Sequence, residues 1–264
     1  MKKIVLLVLV LVSFAQAEVK DKFKISLGVM KVVNFETEMQ AAPKGLPIGI
    51  RLNTKDQLHM KNDTSVFRLD GYYRFNETHS IDFAYFSVNS DGVTADAITW
   101  EGNDIVSAAI HSYFNMDIYR LNYVYSFYHN DKVELALTAG LHITTLDLGI
   151  SAYGTVNGQP DSYYDSATKV TVPLPVFGFK GEYAIVRDKF YVKYRADYFF
   201  LSIDNYKGAL VTTALDFEYR FIEHMGVGLG YNVNNIRLEA DGDNARVDVT
   251  NVLSGVMLNL FYIY

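Results

Sequence analysis

Apolar and polar residues alternate along much of this chain with a period of two, the spacing at which side chains fall on the two faces of a β-strand. The phrase Leu69-Asp-Gly-Tyr-Tyr-Arg-Phe75 recurs in similar form as Leu215-Asp-Phe-Glu-Tyr-Arg-Phe221, and each copy runs into a short polar turn. In both copies one face is apolar and aromatic, while the other carries charges. Such a sheet separates lipid from a polar interior, so the pattern predicts a transmembrane β-barrel.

The same layout of strand, short turn and second strand occurs at four places: Tyr73–His79, Tyr125–Lys132, Tyr183–Lys189 and Tyr219–His224. Turns this short predict hairpins of antiparallel neighbours. Longer, more polar segments separate the hairpins, at 36–65, 91–108, 152–171, 204–207 and 241–245. Short turns at one end and long loops at the other are typical of bacterial outer-membrane barrels.

The sequence predicts an all-β, antiparallel up-and-down transmembrane barrel of about ten strands. The strands are expected at 23–35, 66–75, 79–90, 109–127, 132–151, 170–185, 189–203, 208–221, 225–240 and 246–264. An even number brings both termini to the short-turn, periplasmic side. Segment 47–60 has some strand character, so twelve strands are an alternative, and eight follow if a weak pair is overcounted.

The first 17 residues resemble a secretory signal peptide. Lys2 and Lys3 precede an apolar run from residue 4 to 14, and Ala15-Gln16-Ala17 fits a signal-peptidase site. The run is well short of the roughly 20 residues that a membrane-spanning helix needs. We predict cleavage after Ala17, which leaves residues 18–264 as one outer-membrane barrel domain.

The charged face predicts a network of ion pairs inside the barrel. It carries equal numbers of cations and anions, and His142 falls on the same face beside Glu134. Because a lone buried ion is costly, the balance favours paired charges in a narrow, largely closed lumen. The predicted members are Arg68, Asp70, Arg74, Asp82, Arg120, Glu134, His142, Lys180, Glu182, Lys193, Arg195, Asp197, Asp216, Glu218 and Arg220.

Composition excludes several chemistries. The chain has no cysteine, which rules out disulfides, thiol catalysis, cysteine zinc sites and lipidation of a lipobox cysteine. The net charge is −6 before loss of the two signal lysines, and no basic patch stands out, so a nucleic-acid partner is not expected.

No convincing catalytic or metal constellation is present. Barrel enzymes need a base near a serine, or acids near a histidine, at the rim. His111-Ser112 is an adjacent pair of this kind in 18–264, but neighbours on a strand point to opposite faces. The acids of segment 239–244 lack the ligand pattern of a calcium loop. We expect no catalytic residue, metal or cofactor; the alternative is an enzyme acting on lipid A, phospholipid or peptide at the rim.

The chain from about Phe67 to Tyr264 resembles an uncharacterised family of small Gram-negative outer-membrane β-barrel proteins. The residues that carry the resemblance are Leu69–Asn76, Tyr125-Ser-Phe127, Leu141-His142, Pro173-Leu-Pro175 and Gly228-Leu-Gly-Tyr-Asn232. The family supplies no activity. Segment 254–264 resembles the C-terminal signal that the barrel-assembly machinery reads, although a terminal Phe is commoner there than Tyr264.

These patterns predict an integral protein of the bacterial outer membrane with a structural, surface-interaction or narrow-channel role. The partners expected are outer-membrane lipid, lipopolysaccharide and, through the last strand, the assembly machinery.

Overall fold

The computed structural model describes residues 21–43, 50–53, 65–94, 97–100, 103–203, 206–241 and 245–264. These residues form twelve strands: β1 (Phe23–Pro43), β2 (Ile50–Asn53), β3 (Ser65–Arg74), β4 (His79–Thr94), β5 (Ala97–Trp100), β6 (Asn103–His129), β7 (Val133–Val156), β8 (Gln159–Val186), β9 (Phe190–Ile203), β10 (Tyr206–Ile222), β11 (Met225–Asp241) and β12 (Ala245–Ile263). Within the described residues, no helix is long and apolar enough to cross a membrane.

Ten of these strands close into an antiparallel barrel. The ring runs β1-β3-β4-β6-β7-β8-β9-β10-β11-β12, and β12 pairs back onto β1. The short strands β2 and β5 lie outside the ring and pair with β1 and β6, respectively. The prediction of an all-β barrel of about ten strands is therefore confirmed, and β2 falls inside the 47–60 segment that suggested extra strands.

The short turns, the start of β1 and the end of β12 gather at one end of the barrel, here called the short-turn end. Phe23 and Tyr264 exchange backbone hydrogen bonds of 2.8 and 2.9 Å, which join the first strand to the last. The side chain of Asn76 accepts bonds from the backbone N–H groups of Thr78 and His79, both at 2.9 Å. Such side-chain acceptors stabilise tight turns without help from the rest of the sheet.

The prediction of a long loop at 152–171 is wrong, because this segment is β-strand apart from a two-residue turn. β7 runs to Val156 and β8 begins at Gln159, joined by Asn157 and Gly158 at φ values of 50° and 78°. An Asn-Gly pair with both φ angles positive is the preferred two-residue hairpin turn. The segment 91–108 is also mostly strand, since β4 runs to Thr94 and β5 and β6 follow.

The expected loops at 204–207 and 241–245 are described only at their ends, and most of the segment 36–65 is not described. Residues 204–205, 242–244, 44–49 and 54–64 lie outside the described residues, as does the whole predicted signal peptide.

An apolar belt surrounds the barrel on the side of the short turns. On β6 the outward residues Tyr119, Leu121, Tyr123, Tyr125 and Phe127 are each 43–56% exposed. The belt therefore covers about nine residues of the strand, the length that a tilted β-strand needs to cross a bilayer.

Beyond the belt, the polarity of both faces inverts while the strands continue in phase. On β6 the inward residues change from Asn122 and Arg120 to Ile118 and Met116, and the outward residues change from Tyr119 to Asp117. We call the part between the short turns and this change the lower tier, and the part beyond it the upper tier. On β4 the inward residues change from Asp82 to Ala84 and Phe86. On other strands the inward change occurs at Arg68/Val66, Arg120/Ile118, Thr144/Leu146, Asp197/Phe199, Thr212/Leu210, Asn234/Ile236 and Asn259/Met257.

The upper tier consequently has an apolar interior of its own. Its larger cluster packs side chains from β1, β3, β4, β6, β7 and β12, including Phe35, Phe114, Met116, Leu148 and Leu253. The Phe35 and Phe114 rings lie 5.3 Å apart. A smaller cluster joins β8 to β11 through Leu174, Val176, Phe199, Leu210 and Ile236. The upper tier is thus mainly polar outside and mainly apolar inside, with a few buried polar side chains such as Thr37, Ser90 and Ser112.

Candidate functional site in the barrel interior

Alternation brings charged side chains from many strands into the lower-tier lumen. Every residue predicted for the lumen charge network lies at an inward position of its strand. Seven are buried, and the remaining eight are partly buried: the buried ones are Arg68, Asp82, Arg120, His142, Asp197, Glu218 and Arg220.

Asp82 of β4 is the centre of one group. Its carboxylate lies 3.0 Å from the Lys180 ammonium and forms an ion pair with Arg195. Lys180 and Arg195 are register partners on β8 and β9, so this group connects β4 to strands that are not its neighbours in the barrel. The side chain of Asp82 is 3% exposed, and its two cations compensate the cost of burying it.

Glu218 of β10 is the centre of a second group. It lies 2.9 Å from the Lys193 ammonium and also pairs with Lys24. Lys193 in turn lies 3.0 Å from Glu182. Because Lys24 is on β1 and Lys193 on β9, the carboxylate connects two separate parts of the barrel wall.

Two further ion pairs line the mouth at the short-turn end. Arg74 and Glu134 form a bidentate pair with distances of 2.9 and 2.8 Å, the geometry in which guanidinium–carboxylate pairs are strongest. The hydroxyl of Ser126 donates to the same carboxylate at 2.5 Å. Arg220 donates to Asp21 and lies over the Tyr191 ring at 4.4 Å.

A mainly polar layer lies above these pairs, next to the inversion. The carboxylate of Asp197 accepts from Thr138 at 3.0 Å and from Asn122 at 3.5 Å, and lies 3.8 Å from Arg120. Across the layer, Arg68 donates to the side-chain oxygen of Asn232 at 2.9 Å.

Some predicted members have weaker contacts. Arg68 and Asp70 approach only to 3.6 Å. His142 is 1% exposed, yet neither ring nitrogen has a hydrogen-bond partner in the protein, and one carboxylate oxygen of Asp216 also has none. In the two copies of the repeated phrase, Arg74 pairs with Glu134 and Arg220 with Asp21, so neither arginine bonds the aspartate of its own copy.

Sequence reasoning missed Lys24 and Asp21. Lys24 precedes Ser26 and Gly28 on the inward phase of β1, so the alternation itself could have identified it. Asp21 lies before β1, where no alternation applies, and its positive φ of 55° turns the chain at the mouth. One residue adds a cation and the other an anion, so the numbers of opposite charges stay equal.

Two small cavities lie among these groups. One of about 100 Å³ is enclosed by the Asp82 and Glu218 groups, and one of about 320 Å³ opens at the mouth beside Arg74 and Glu134. At about 30 Å³ per water molecule, the two cavities have room for about three and about ten water molecules, which can satisfy the buried polar atoms without a protein partner.

The residues considered for catalysis do not converge. His111 is exposed on the outer face of β6, while Ser112 is buried on the inner face and donates to the Gly92 carbonyl at 3.4 Å. Among the described residues, no group of three or more His, Cys, Asp or Glu side chains is placed to hold a metal ion. Segment 239–244 lies partly outside those residues.

The chain is similar to the outer membrane protease OmpT from Escherichia coli, with 13% identity and a TM-score of 0.61 over 95% of this chain and 99% of that chain. It also aligns with the outer membrane protein OprG from Pseudomonas aeruginosa, at 12% identity and a TM-score of 0.41 over 93% of this chain and 97% of that one. Ail, the attachment invasion locus protein of Yersinia pestis, gives 9% identity and a TM-score of 0.27 over 90% of this chain and 99% of that one. No protein-family model matches the chain. No curated protein matches it. The first alignment shows that the chain has the fold of a bacterial outer-membrane β-barrel.

Proposed function

We propose that this protein is a non-conducting barrel of the bacterial outer membrane that presents its upper tier at the cell surface as an interaction surface. The observation that carries the proposal is the filling of the interior at two successive levels. Ion pairs occupy the lower tier, and packed apolar side chains occupy the upper tier.

The lower tier obstructs ions because its charges are already paired across the lumen. A permeating ion would have to separate groups such as Asp82 with Lys180, or Glu218 with Lys193, in a poorly hydrated space. Removing one partner from a buried pair costs about 3–5 kcal/mol. The cavity of about 100 Å³ beside these groups has room for only about three water molecules.

The upper tier obstructs ions for a different reason. Phe114, Met116 and Ile118 of β6 are each 0% exposed, and they pack on Phe35 and Leu148 from other strands. Apolar side chains offer no replacement for the water that an ion carries. The two levels therefore act as barriers in series.

The surface role rests on the length and order of β6, β7 and β8. These strands have 27, 24 and 28 residues, whereas about 9–11 are enough to cross the outer membrane. At the tip, Asn157 donates to Asn103 at 2.8 Å and accepts from the backbone of Asp104 at 2.8 Å. These bonds attach the β7–β8 turn to β6, so the projecting wall is held in one arrangement.

Exposed tyrosines make this wall suitable for a partner. Tyr153 and Tyr163 are register partners on β7 and β8 and are 61% and 68% exposed. Tyrosine is enriched at protein interfaces because it combines a large apolar area with a polar tip.

The proposal includes the partners and location expected from the sequence. Lipid and lipopolysaccharide would surround the belt. Lys207 and Arg237 of the upper tier are exposed and pair with Glu239, and such weak exposed pairs would exchange the carboxylate for lipopolysaccharide phosphates. The last strand would be recognised by the assembly machinery, after removal of residues 1–17.

Recording from the refolded protein in planar lipid bilayers tests the closed interior. The wild-type protein should give no stable conductance steps. Arg195→Ala alone, or Phe35→Ala with Phe114→Ala, should also be silent because one barrier remains in each. Steps are expected only when all three changes are combined. Heat-modifiable migration on a gel checks that each variant is folded, and stable steps from the folded wild type would contradict the proposal.

A further inference from the structure

The barrel wall has a seam between β8 and β9. Their ladder of backbone pairs ends at Phe177 and Tyr198, although β8 extends to Gln159 and β9 to Ile203. Beyond that point β8 remains paired with β7 and β9 remains paired with β10. We define the seam as residues 173–177 of β8 and 198–201 of β9.

Two prolines account for the end of the ladder. The N–H of Ala184 donates to Lys132 next to β7 at 2.7 Å, so even-numbered N–H groups of this part of β8 face β7 and odd-numbered ones face β9. Pro175 and Pro173 are the next odd-numbered residues beyond Phe177, and proline has no N–H to donate. The β9 strand therefore loses two successive donors at the level where the pairing stops.

The wall is apolar on both faces at the seam. On β6 and β7 the outward residues become polar at the inversion, at Asp117 and Thr145. On β8 the inversion is at Gly178/Val176, yet the outward Pro175 and Pro173 remain apolar beyond it. On β9 the outward Phe200 is 70% exposed, and the inward Phe199 packs in the smaller apolar cluster with Leu174 and Val176.

The height of the seam agrees with the rule that backbone groups within hydrocarbon must be paired. Phe177 and Tyr198 lie at the inversion, so the wall is fully paired through the lower tier and opens at the upper edge of the belt. A gap inside the hydrocarbon would leave backbone polar groups unsatisfied at several kcal/mol each. At the edge, a lipid chain can reach the seam while water satisfies the free backbone groups.

We propose that the β8–β9 seam binds an acyl chain of a lipid in the adjacent leaflet. The chain would lie against Phe177, Pro175 and Phe200 and contact the smaller apolar cluster behind them. A peptide strand fits less well, because strand addition depends on main-chain hydrogen bonds, and the two prolines remove donors from this edge. The proposal does not depend on whether the lumen conducts ions.

Quenching of tryptophan fluorescence by phospholipid with brominated acyl chains tests the proposal. The single Trp100 is first replaced by Phe, and Phe199→Trp then reports on the inner side of the seam. Phe86→Trp is the control, since Phe86 is also inward, just above the inversion, and is itself paired with Arg68, the last pair of the β3–β4 ladder, and with Ile118. Phe200→Trp is the reference for full contact with lipid. Quenching requires close contact between lipid and ring, so Trp at 199 should be quenched at least about twofold more than Trp at 86.

Equal, weak quenching at 199 and 86 would overturn the proposal. Strong quenching of Trp at position 199 by acrylamide, without quenching by brominated lipid, would also overturn it, because the seam would then be filled by water. A peptide found bound in the intact mass spectrum, with 199 unquenched, would assign it to strand addition. If Phe199→Trp does not fold, Leu201→Trp, at a site that is 37% exposed, gives the same measurement.

Restoring the donors should close the seam. Pro173→Val with Pro175→Val supplies two N–H groups, so the ladder should extend and quenching at 199 should fall to the level at 86. Pro160→Val, far along the same strand, is the control and should leave the quenching unchanged. Unchanged quenching in the double variant would show that the prolines do not hold the seam open.

Discussion

Asp82 shows how a single acidic residue is accommodated in the middle of the barrel. Its carboxylate is almost fully buried, and a lysine and an arginine from two other strands compensate its charge. Either cation without the acid would lose its ion-pair partner inside the lumen. Asp82 therefore stabilises the fold mainly because its removal would leave Lys180 and Arg195 without their ion-pair partner.

We expect Asp82→Asn to lower the free energy of unfolding by about 3–5 kcal/mol, the cost of breaking a buried ion pair from one side. The measurement is urea unfolding of the refolded protein in vesicles. Asp131→Asn is the control: Asp131 lies 2.7 Å from Arg187, but both side chains are exposed, and the expected loss is below about 1 kcal/mol. Equal losses in the two variants would contradict this account of the interior.

Much of the charged interior follows from alternation, but its pairing does not. The inward position of Asp82 or Glu218 can be read from neighbouring residues on the same strand. Which cation each one meets depends on contacts across the lumen, and these depend on strand tilt and closure. Alternation on β1 could have placed Lys24 inward, but its pairing with Glu218 across the lumen could not be read from the sequence.

The β7–β8 hairpin shows the same limit at the level of elements. The predicted strands agree with the structure to within a few residues at the short-turn end, where aromatic residues mark them. In 152–171, which was expected to be a loop, many outward residues are polar, as in Asp161, Asp165 and Lys169, and such a composition resembles a loop. The Asn157-Gly158 pair was the local signal for a hairpin.

Gly158→Val should loosen this hairpin. The φ of 78° at Gly158 is costly for a residue with a side chain, by about 1–2 kcal/mol, although a Cβ atom there would have open space within 4 Å beyond its chain neighbours. Faster hydrogen exchange is expected at Asn157 and Asp104, which are bonded across the tip at 2.8 Å. Gln159→Val, one residue later, is the control and should leave exchange unchanged; similar effects of the two changes would exclude backbone strain as the cause.

The same set of strands forms two tiers of opposite polarity. The lower tier places charges inside and apolar residues outside, and the upper tier does the opposite. Sequence reasoning assigned one polarity to each face along the full strand, so it identified the barrel and the belt but not the apolar interior beyond it. The inversion was visible in β6, where Asp117 and Ile118 exchange the roles held by Tyr119 and Arg120.

If the tiers are stabilised separately, a cavity in the upper tier should affect that tier first. Phe114→Ala is expected to cost about 3–5 kcal/mol, because Phe114 is fully buried. Protease added to intact cells should then cut β6 or β7 above the belt and leave the lower tier protected. Leu141→Ala, on the outward face of β7, should remain uncut. Loss of the whole barrel from the membrane fraction in Phe114→Ala would show instead that the tiers unfold together.

The inversion also fixes the depth at which the barrel sits. Shifting the barrel across the membrane toward its short-turn end, by one outward residue per strand, would carry Asp117 and its counterparts into hydrocarbon. Shifting it the opposite way would expose part of the apolar belt to water. Charged residues facing lipid are penalised in proportion to their depth. The height of the belt thus sets the hydrocarbon thickness that the barrel matches. In a thinner or thicker membrane, the lipid should deform around the barrel, and the depth of the barrel should stay the same.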